Sequence, residues 1–194
     1  VFAAVASTLA ERGPGVIGDL AYFMGSFYAG LLTLWLCLIG LGFVFLGKRM
    51  SLLVRYIRDP LLLAFTTASS EAAYPRTLAA LDRFGVPPKI ASFVLPLGYS
   101  FNLDGTMLYA AYASIFIAQA YDIPLSWGTQ LGMLLPLMLT SKGVAGVPRA
   151  SLVVIAATLT QFNLPEEGVL LIIGVDTFLD MGRSATNVIG NSLA

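Results

Sequence analysis

Five polar side chains near the end of the chain share one side of a helix. Asp176, Asp180, Arg183, Asn187 and Asn191 stand at i, i+4, i+7, i+11 and i+15, which at ~100° per residue gathers them into a stripe roughly 80° wide. The residues between them include Phe178, Leu179, Met181, Val188 and Ile189, all apolar. Charges in so apolar a helix must face partners, water or a ligand, because a charge at the centre of a bilayer costs at least ~2.5–3.5 kcal/mol. One reading is a closed ion network. The other is a recognition site, since an exposed guanidinium grips a carboxylate in a planar, two-pronged way. Asp180, one turn from Arg183, would then hold an ammonium. Arg and Asp on one face suit an acidic amino acid.

A second polar group is "LGYSFNLDGT", residues 97–106. Pro96 and Gly98 loosen a helix there, and Asn102, Asp104 and Thr106 supply oxygens beside freed backbone carbonyls. Mixed carbonyl and carboxylate oxygens suit a hard monovalent cation such as sodium; a polar kink satisfied by its neighbours is the alternative. Asp104 is the only charge between Lys89 and Asp122, and a buried carboxylate without a basic neighbour either binds a cation or takes a proton. Two further stretches, "ASSEA" at 68–72 and "SKGVAGVP" at 141–148, bring hydroxyls and backbone N–H groups to helix ends, where anions are favoured. Singly, each reads equally as ordinary loop chemistry. Glu71 reads as a structural acid at a wet turn, with a proton carrier as the other possibility.

The elements that position these groups belong to a membrane. Hydrophobic residues make up 57% of the 194 and charged ones 11%, with a mean hydropathy of +0.82, whereas soluble domains carry about a quarter charged residues. Residues 20–47 form an uncharged run between Asp19 and Lys48-Arg49, longer than the ~20 residues that span a bilayer. Lys48, Arg49, Arg55 and Arg58 cluster after it, which places that end on the cytoplasmic side by the positive-inside rule. Zero net charge and no basic, aromatic-interleaved patch argue against a nucleic-acid partner. The absence of histidine removes His-based nucleophile systems and most zinc sites. Cys37, alone in an apolar run, reads as packing. The chain starts on Val1 and stops inside an apolar stretch, so it is expected to be part of a longer protein.

Residues 1–10 read as the tail of an apolar helix closed by "ERGPG". Residues 57–84 and 126–161 are apolar but broken at "TTASSEAAYP" and "TSKGVAGVPR", and each half is too short to cross a bilayer. Such breaks at membrane depth are tolerated only when buried in protein or facing a wet cavity. Two helical hairpins that enter and leave on the same side are the economical reading, each followed by a polar-studded helix. The halves echo one another through "YPR" and "VPR", then "NLDGT" and "NVIGN", the pattern of transporters whose broken helices meet at the substrate.

In this order the motifs "SSE...YPR" (69–76), "NLDGT" (102–106), "SKGVAGVP" (141–148) and "DxxxDMGRSxxNVxGN" (176–191) resemble the dicarboxylate/amino acid:cation symporter family, the glutamate transporters and their bacterial relatives. The resemblance runs over essentially the whole chain. It implies an all-α integral membrane protein with transmembrane helices, two re-entrant helical hairpins and broken helices, an elevator fold of which this is a partial chain. Residues 1–50 would hold the end of one membrane helix and a complete one. Residues 51–194 would be the transport core, with hairpin one at 51–86, an unwound helix at 89–121, hairpin two at 126–161 and the last helix at 166–194. A trimer-forming scaffold would precede them.

The resemblance also implies roles. Arg183 would grip the substrate's side-chain carboxylate, Asp180 its amino group and Asn187 its α-carboxylate, with Ser69, Ser70, Thr106, Gly146, Val147 and Ser184 around them. Asp176 would steady the arginine. Sodium would be held by Gly98, Ser100, Asn102, Asp104, Ser141, Val144, Asn187 and Asn191. Asn191 stands where sodium-coupled carriers commonly have aspartate, and Ala110 where animal relatives have a glutamate tied to potassium coupling. The implied function is a symporter, not an enzyme, without a cofactor. It would sit in the inner cell membrane as a homotrimer and take up glutamate or aspartate with sodium, or alternatively with protons. A C4-dicarboxylate symporter is the rival; Asp180 favours the amino acid, because a dicarboxylate has no ammonium to pair with it. An ion channel is the reading from another class.

Overall fold

The computed structural model describes residues 13, 15–141 and 147–194. The expected helix end over residues 1–10 lies outside them, as do Val144 and Gly146. No strand occurs among the described residues. The first helix, α1 (Gly15–Leu46), starts five residues before the uncharged run and takes in Asp19. Its 32 residues and mean hydropathy of 2.4 suit a membrane crossing, and its length is about 48 Å. Leu36, Val44 and Phe45 on its outer side are 73%, 76% and 84% exposed, which only an apolar surrounding makes inexpensive.

Two short helices follow as an antiparallel pair. α2 (Arg49–Thr67) ends where Ala68 turns left-handed at φ 50°, and α3 (Ser70–Phe84) begins two residues later. Ser69 is the N-cap of α3, its hydroxyl accepting the Ala72 N–H at 3.2 Å, which satisfies one of the helix's unpaired first-turn donors. The far end of the pair is fastened by Arg49, which donates to the Phe84 carbonyl at 3.3 Å and lies over the Phe84 ring. Met50, Leu53 and Ile57 pack there against Ala80, Leu81 and Phe84.

The expected unwound helix is two helices. α4 (Pro88–Phe101) stops at Asn102, whose ψ of 69° is not helical. α5 (Asp104–Ala120) restarts after Leu103, also off the helical region with ψ 60°. A second pair, α6 (Trp127–Thr140) and α7 (Ala150–Gln161), packs against α5 through Met133, Leu137, Ile155 and Leu159. Each helix of these pairs is shorter than the ~20 residues that cross a bilayer.

The last segment departs from the sequence reading of one helix over 166–194. A 3-10 turn (Glu166–Gly168) and the single turn α8 (Val169–Ile172) come first. The chain then turns through Ile173, Gly174 and Val175 before α9 (Asp176–Leu193) begins. Gly174 weakens helical continuity at that point, and Asp176 opens α9 with an acid in its first turn, where the helix dipole favours one. The apolar run through the turn conceals the break in the sequence.

Although rich in polar groups, α9 is central, with fourteen of its eighteen residues buried. It packs on α1, α2, α3, α4 and α5. Three levels of α1 clamp it. Tyr28 donates to the Phe178 carbonyl at 2.6 Å, and Trp35 Nε1 donates to Thr186 Oγ1 at 2.7 Å. Between them Gly182 lies against Leu31, close enough that a Cβ there would come within 2.6 Å of its methyl. Small residues allow such close helix contact within a membrane.

Candidate functional site

The polar stripe of α9 meets the break between α4 and α5 on one side and the end of the α6–α7 pair on the other. Asn187 joins the first of these. Its Oδ1 accepts the Gly105 N–H at 2.9 Å, which caps the first turn of α5, and its Nδ2 donates to Thr106 Oγ1 at 3.1 Å. Thr106 Oγ1 also accepts Arg183 Nη1 at 3.2 Å. Gly105 is required for this approach, since a methyl there would collide with the Arg183 carbonyl and come within 2.9 Å of Thr186 Cβ. Gly105→Ala is therefore expected to lower stability by about 1–3 kcal/mol. The control is Gly132→Ala, where nothing lies within 4 Å. Thermal unfolding of both variants in detergent checks this, and an unshifted midpoint for Gly105→Ala would contradict the packing.

The guanidinium of Arg183 is not exposed, as the stripe alone suggests, but fully buried. Nε forms an ion pair with Asp180 Oδ1 at 2.7 Å, Nη1 reaches Thr106, and Nη2 donates to the Val147 carbonyl at 3.1 Å. The cover comes from residues 36 to 77 positions away in sequence, so helical spacing could not reveal it. Asp180 is equally buried and its Oδ2 accepts the Arg149 N–H. Asp176 sits one turn earlier, where Oδ1 accepts the Tyr109 hydroxyl at 2.7 Å and Oδ2 lies 3.8 Å from Arg149 Nε. The carboxylate that meets Arg183 directly is thus Asp180, while Asp176 meets Tyr109 and Arg149.

Other expected residues fall into two places. Ser70 is fully buried at the start of α3, with no hydrogen-bond partner for Oγ among the described residues, and Ser184 is alike on α9. Ala64 and Ala73, which flank the α2–α3 turn, pack on Val188, so this turn and the α6–α7 end approach α9 separately. Glu71 is exposed.

Around Gly98 lies the second cluster. A Cβ on Gly98 would sit 2.7 Å from Asn191 Oδ1, and one on Gly190 would collide with the Asp104 carboxylate and lie 3.3 Å from Asn102 Nδ2. Both polar atoms of the Asn191 side chain are buried without a hydrogen-bond partner among the described residues. Ser100 donates to the Pro96 carbonyl at 3.2 Å. Ser141, also buried, donates to the Met138 carbonyl at 3.4 Å on α6. The chemistry of the cluster is oxygen-rich: a carboxylate, two side-chain amides and backbone carbonyls released by the helix break.

A family model for sodium:dicarboxylate symporters matches residues 1–194. The chain belongs to that family. Among curated relatives, a proton/sodium-glutamate symport protein of Bacillus caldotenax is 45% identical over 194 residues, all of this chain and 46% of the relative. A proton/glutamate-aspartate symporter of Escherichia coli is also 45% identical, with 44% of it covered. A C4-dicarboxylate transport protein of Bordetella avium is 44% identical, again with 44% covered. The chain spans a little under half the length of these relatives. The relatives are transport proteins, not enzymes, and membership makes this a membrane protein.

Two contacts of this family member went unread in its sequence. Tyr109 is one turn beyond Thr106 on α5, a spacing that points both to the same face, but nothing in its type announces a carboxylate partner. Arg149 belongs to the "VPR" triplet and had no visible partner, because Asp176 and Asp180 lie about thirty residues downstream.

Proposed function

We propose that this chain is the transport core of a symporter that takes up glutamate or aspartate together with sodium across the inner cell membrane. The observation that carries the reading is the buried Asp180–Arg183 pair, with Asn187 on the same face of α9 and Thr106 of α5 facing them. Guanidinium and carboxylate side by side complement the carboxylate and ammonium of an acidic amino acid.

In this reading the Val147 carbonyl occupies the Arg183 donor that a substrate carboxylate takes on binding. The exchange substitutes a charged acceptor for a neutral one, roughly doubling the strength of that hydrogen bond. Asp180 uses one lone pair on each oxygen for Arg183 and Arg149, which leaves acceptor capacity for an ammonium. Asn187 and Ser184 take the α-carboxylate, and Ser69 and Ser70 close the site from the α2–α3 turn, with Gly146 and Val147 opposite. Asp176 supports the pair from the preceding turn. Sodium is held by Gly98, Ser100, Asn102, Asp104, Asn187 and Asn191, with Ser141 and Val144 contributing as the second helix pair closes. The unpartnered amide of Asn191 beside Gly98 supports this placement.

The two helix pairs, 51–86 and 126–161, act as re-entrant hairpins, and the core moves as an elevator against a trimeric scaffold. A C4-dicarboxylate remains the second reading, favoured by the 44%-identical Bordetella avium relative. The deciding experiment is uptake of labelled aspartate and succinate by the full-length protein in proteoliposomes, at fixed pH with sodium replaced by choline. Sodium-dependent aspartate uptake is expected. Undiminished uptake driven by an inward proton gradient alone would reassign Asp104 from sodium ligand to proton carrier.

A further inference from the structure

We propose that Arg149 is a positioning residue that fastens the end of the second helix pair to α9 through both carboxylates of the stripe. The inference rests on the α9 face being the substrate seat and adds a residue to it. Arg149 is the N-cap of α7 in the left-handed region, φ 66° and ψ 1°, which side-chain-bearing residues seldom occupy. That backbone turn aims its N–H at Asp180 Oδ2, while the guanidinium lies 3.8 Å from Asp176 Oδ2. Two residues earlier, the Val147 carbonyl accepts Arg183 Nη2. Two residues of the 147–149 stretch, Val147 and Arg149, thus engage all three charges of the stripe.

The two partners of the Arg149–Asp176 pair are unequally placed. The Asp176 side chain is 0% exposed and that of Arg149 52%. Asp176 Oδ2 has no hydrogen-bond partner among the described residues, so Arg149 supplies its compensating charge, and Tyr109 holds only the other oxygen. Asp176, Asp180, Arg149 and Arg183 together sum to zero. Without Arg149 the seat carries a surplus negative charge beside the place an anionic substrate must enter. The tether therefore both holds the chain end down on α9 and removes a repulsion against the substrate.

Removing the cation strands a buried carboxylate, whereas removing the carboxylate leaves a half-exposed cation that water can solvate. The test is a double-substitution cycle in the full-length protein in proteoliposomes, with labelled aspartate as probe. Arg149→Gly keeps the left-handed backbone and its N–H and loses only the side chain. It is expected to raise half-saturation about tenfold, between the roughly fivefold limit of an exposed pair and the hundredfold or more of a buried one. The maximal rate is expected to stay within about twofold, because loosening the closed arrangement acts on substrate retention. Asp176→Asn alone should do less, and Arg149→Gly with Asp176→Asn should match Asp176→Asn, so the second change rescues the first. Arg149→Lys, which restores the charge without the fork, should recover part of the affinity.

Losses that simply multiply in the double variant would overturn the tether, as would a fall in maximal rate at unchanged half-saturation. Arg183→Ala run alongside separates the two levels. Its loss of uptake upholds the seat, so multiplying losses would then sink the tether alone; intact uptake would overturn seat and tether together.

Discussion

Arg183→Ala is expected to weaken binding of acidic substrates by about 2–5 kcal/mol, the loss typical of truncating one side of a buried, hydrogen-bonded charge pair. In the proposed reading the loss has two sources. The substrate carboxylate forfeits the guanidinium of Arg183, and Asp180, which that guanidinium neutralises at 2.7 Å, is left with the Arg149 N–H. Thr106 and the Val147 carbonyl lose a donor as well. Lysine should recover little, because three acceptors lie in three directions and a single ammonium cannot reproduce a planar fork. Calorimetric titration of the full-length protein with aspartate and with succinate measures this. Affinity close to that of the unaltered protein would remove Arg183 from the site.

Asp180→Ser is expected to separate the two substrate readings. The carboxylate already serves Arg183 and Arg149, so some affinity for any ligand should go with it. That shared loss cancels in the ratio of aspartate to succinate affinities. In the amino-acid reading an ammonium pairs with Asp180 and succinate carries none, so the ratio should fall by about tenfold or more, as expected for a lost charge-assisted bond of ~1.5–3 kcal/mol. Equal losses for both ligands would make Asp180 a purely structural partner of Arg183 and move the dicarboxylate reading ahead.

Local periodicity and punctuation made much of this arrangement legible. The stripe from Asp176 to Asn191 follows from the helical repeat, and α9 does present those residues inward. Pro96, Gly98 and "NLDGT" located the interruption between α4 and α5 because the residues that weaken a helix are local in effect. Ser69 marks a turn through another local effect, its hydroxyl capping the helix that follows. Long-range partners left no such mark. The Val147 carbonyl over Arg183 and the Arg149 N–H on Asp180 are backbone groups, which carry no residue type for a reader to notice. The turn at Gly174 was concealed because apolar residues continue through it, and hydrophobic pattern records burial, not helical continuity.

The dimensions of α1 set how far it can shift relative to the lipid. Its uncharged stretch, residues 20–46, is about 40 Å long against a hydrocarbon thickness of ~30 Å. For an upright helix the surplus of roughly 10 Å is slack along the membrane normal. Tyr28, Leu31 and Trp35 tie α9 to this helix at three levels, so the charged stripe travels wherever α1 does. A shift within that slack exchanges one apolar turn for another at each leaflet and leaves the hydrophobic mismatch almost unchanged. In the proposed elevator movement the bilayer therefore supplies little restoring force to α1, and the helix that carries the charges is guided by one the membrane lets glide.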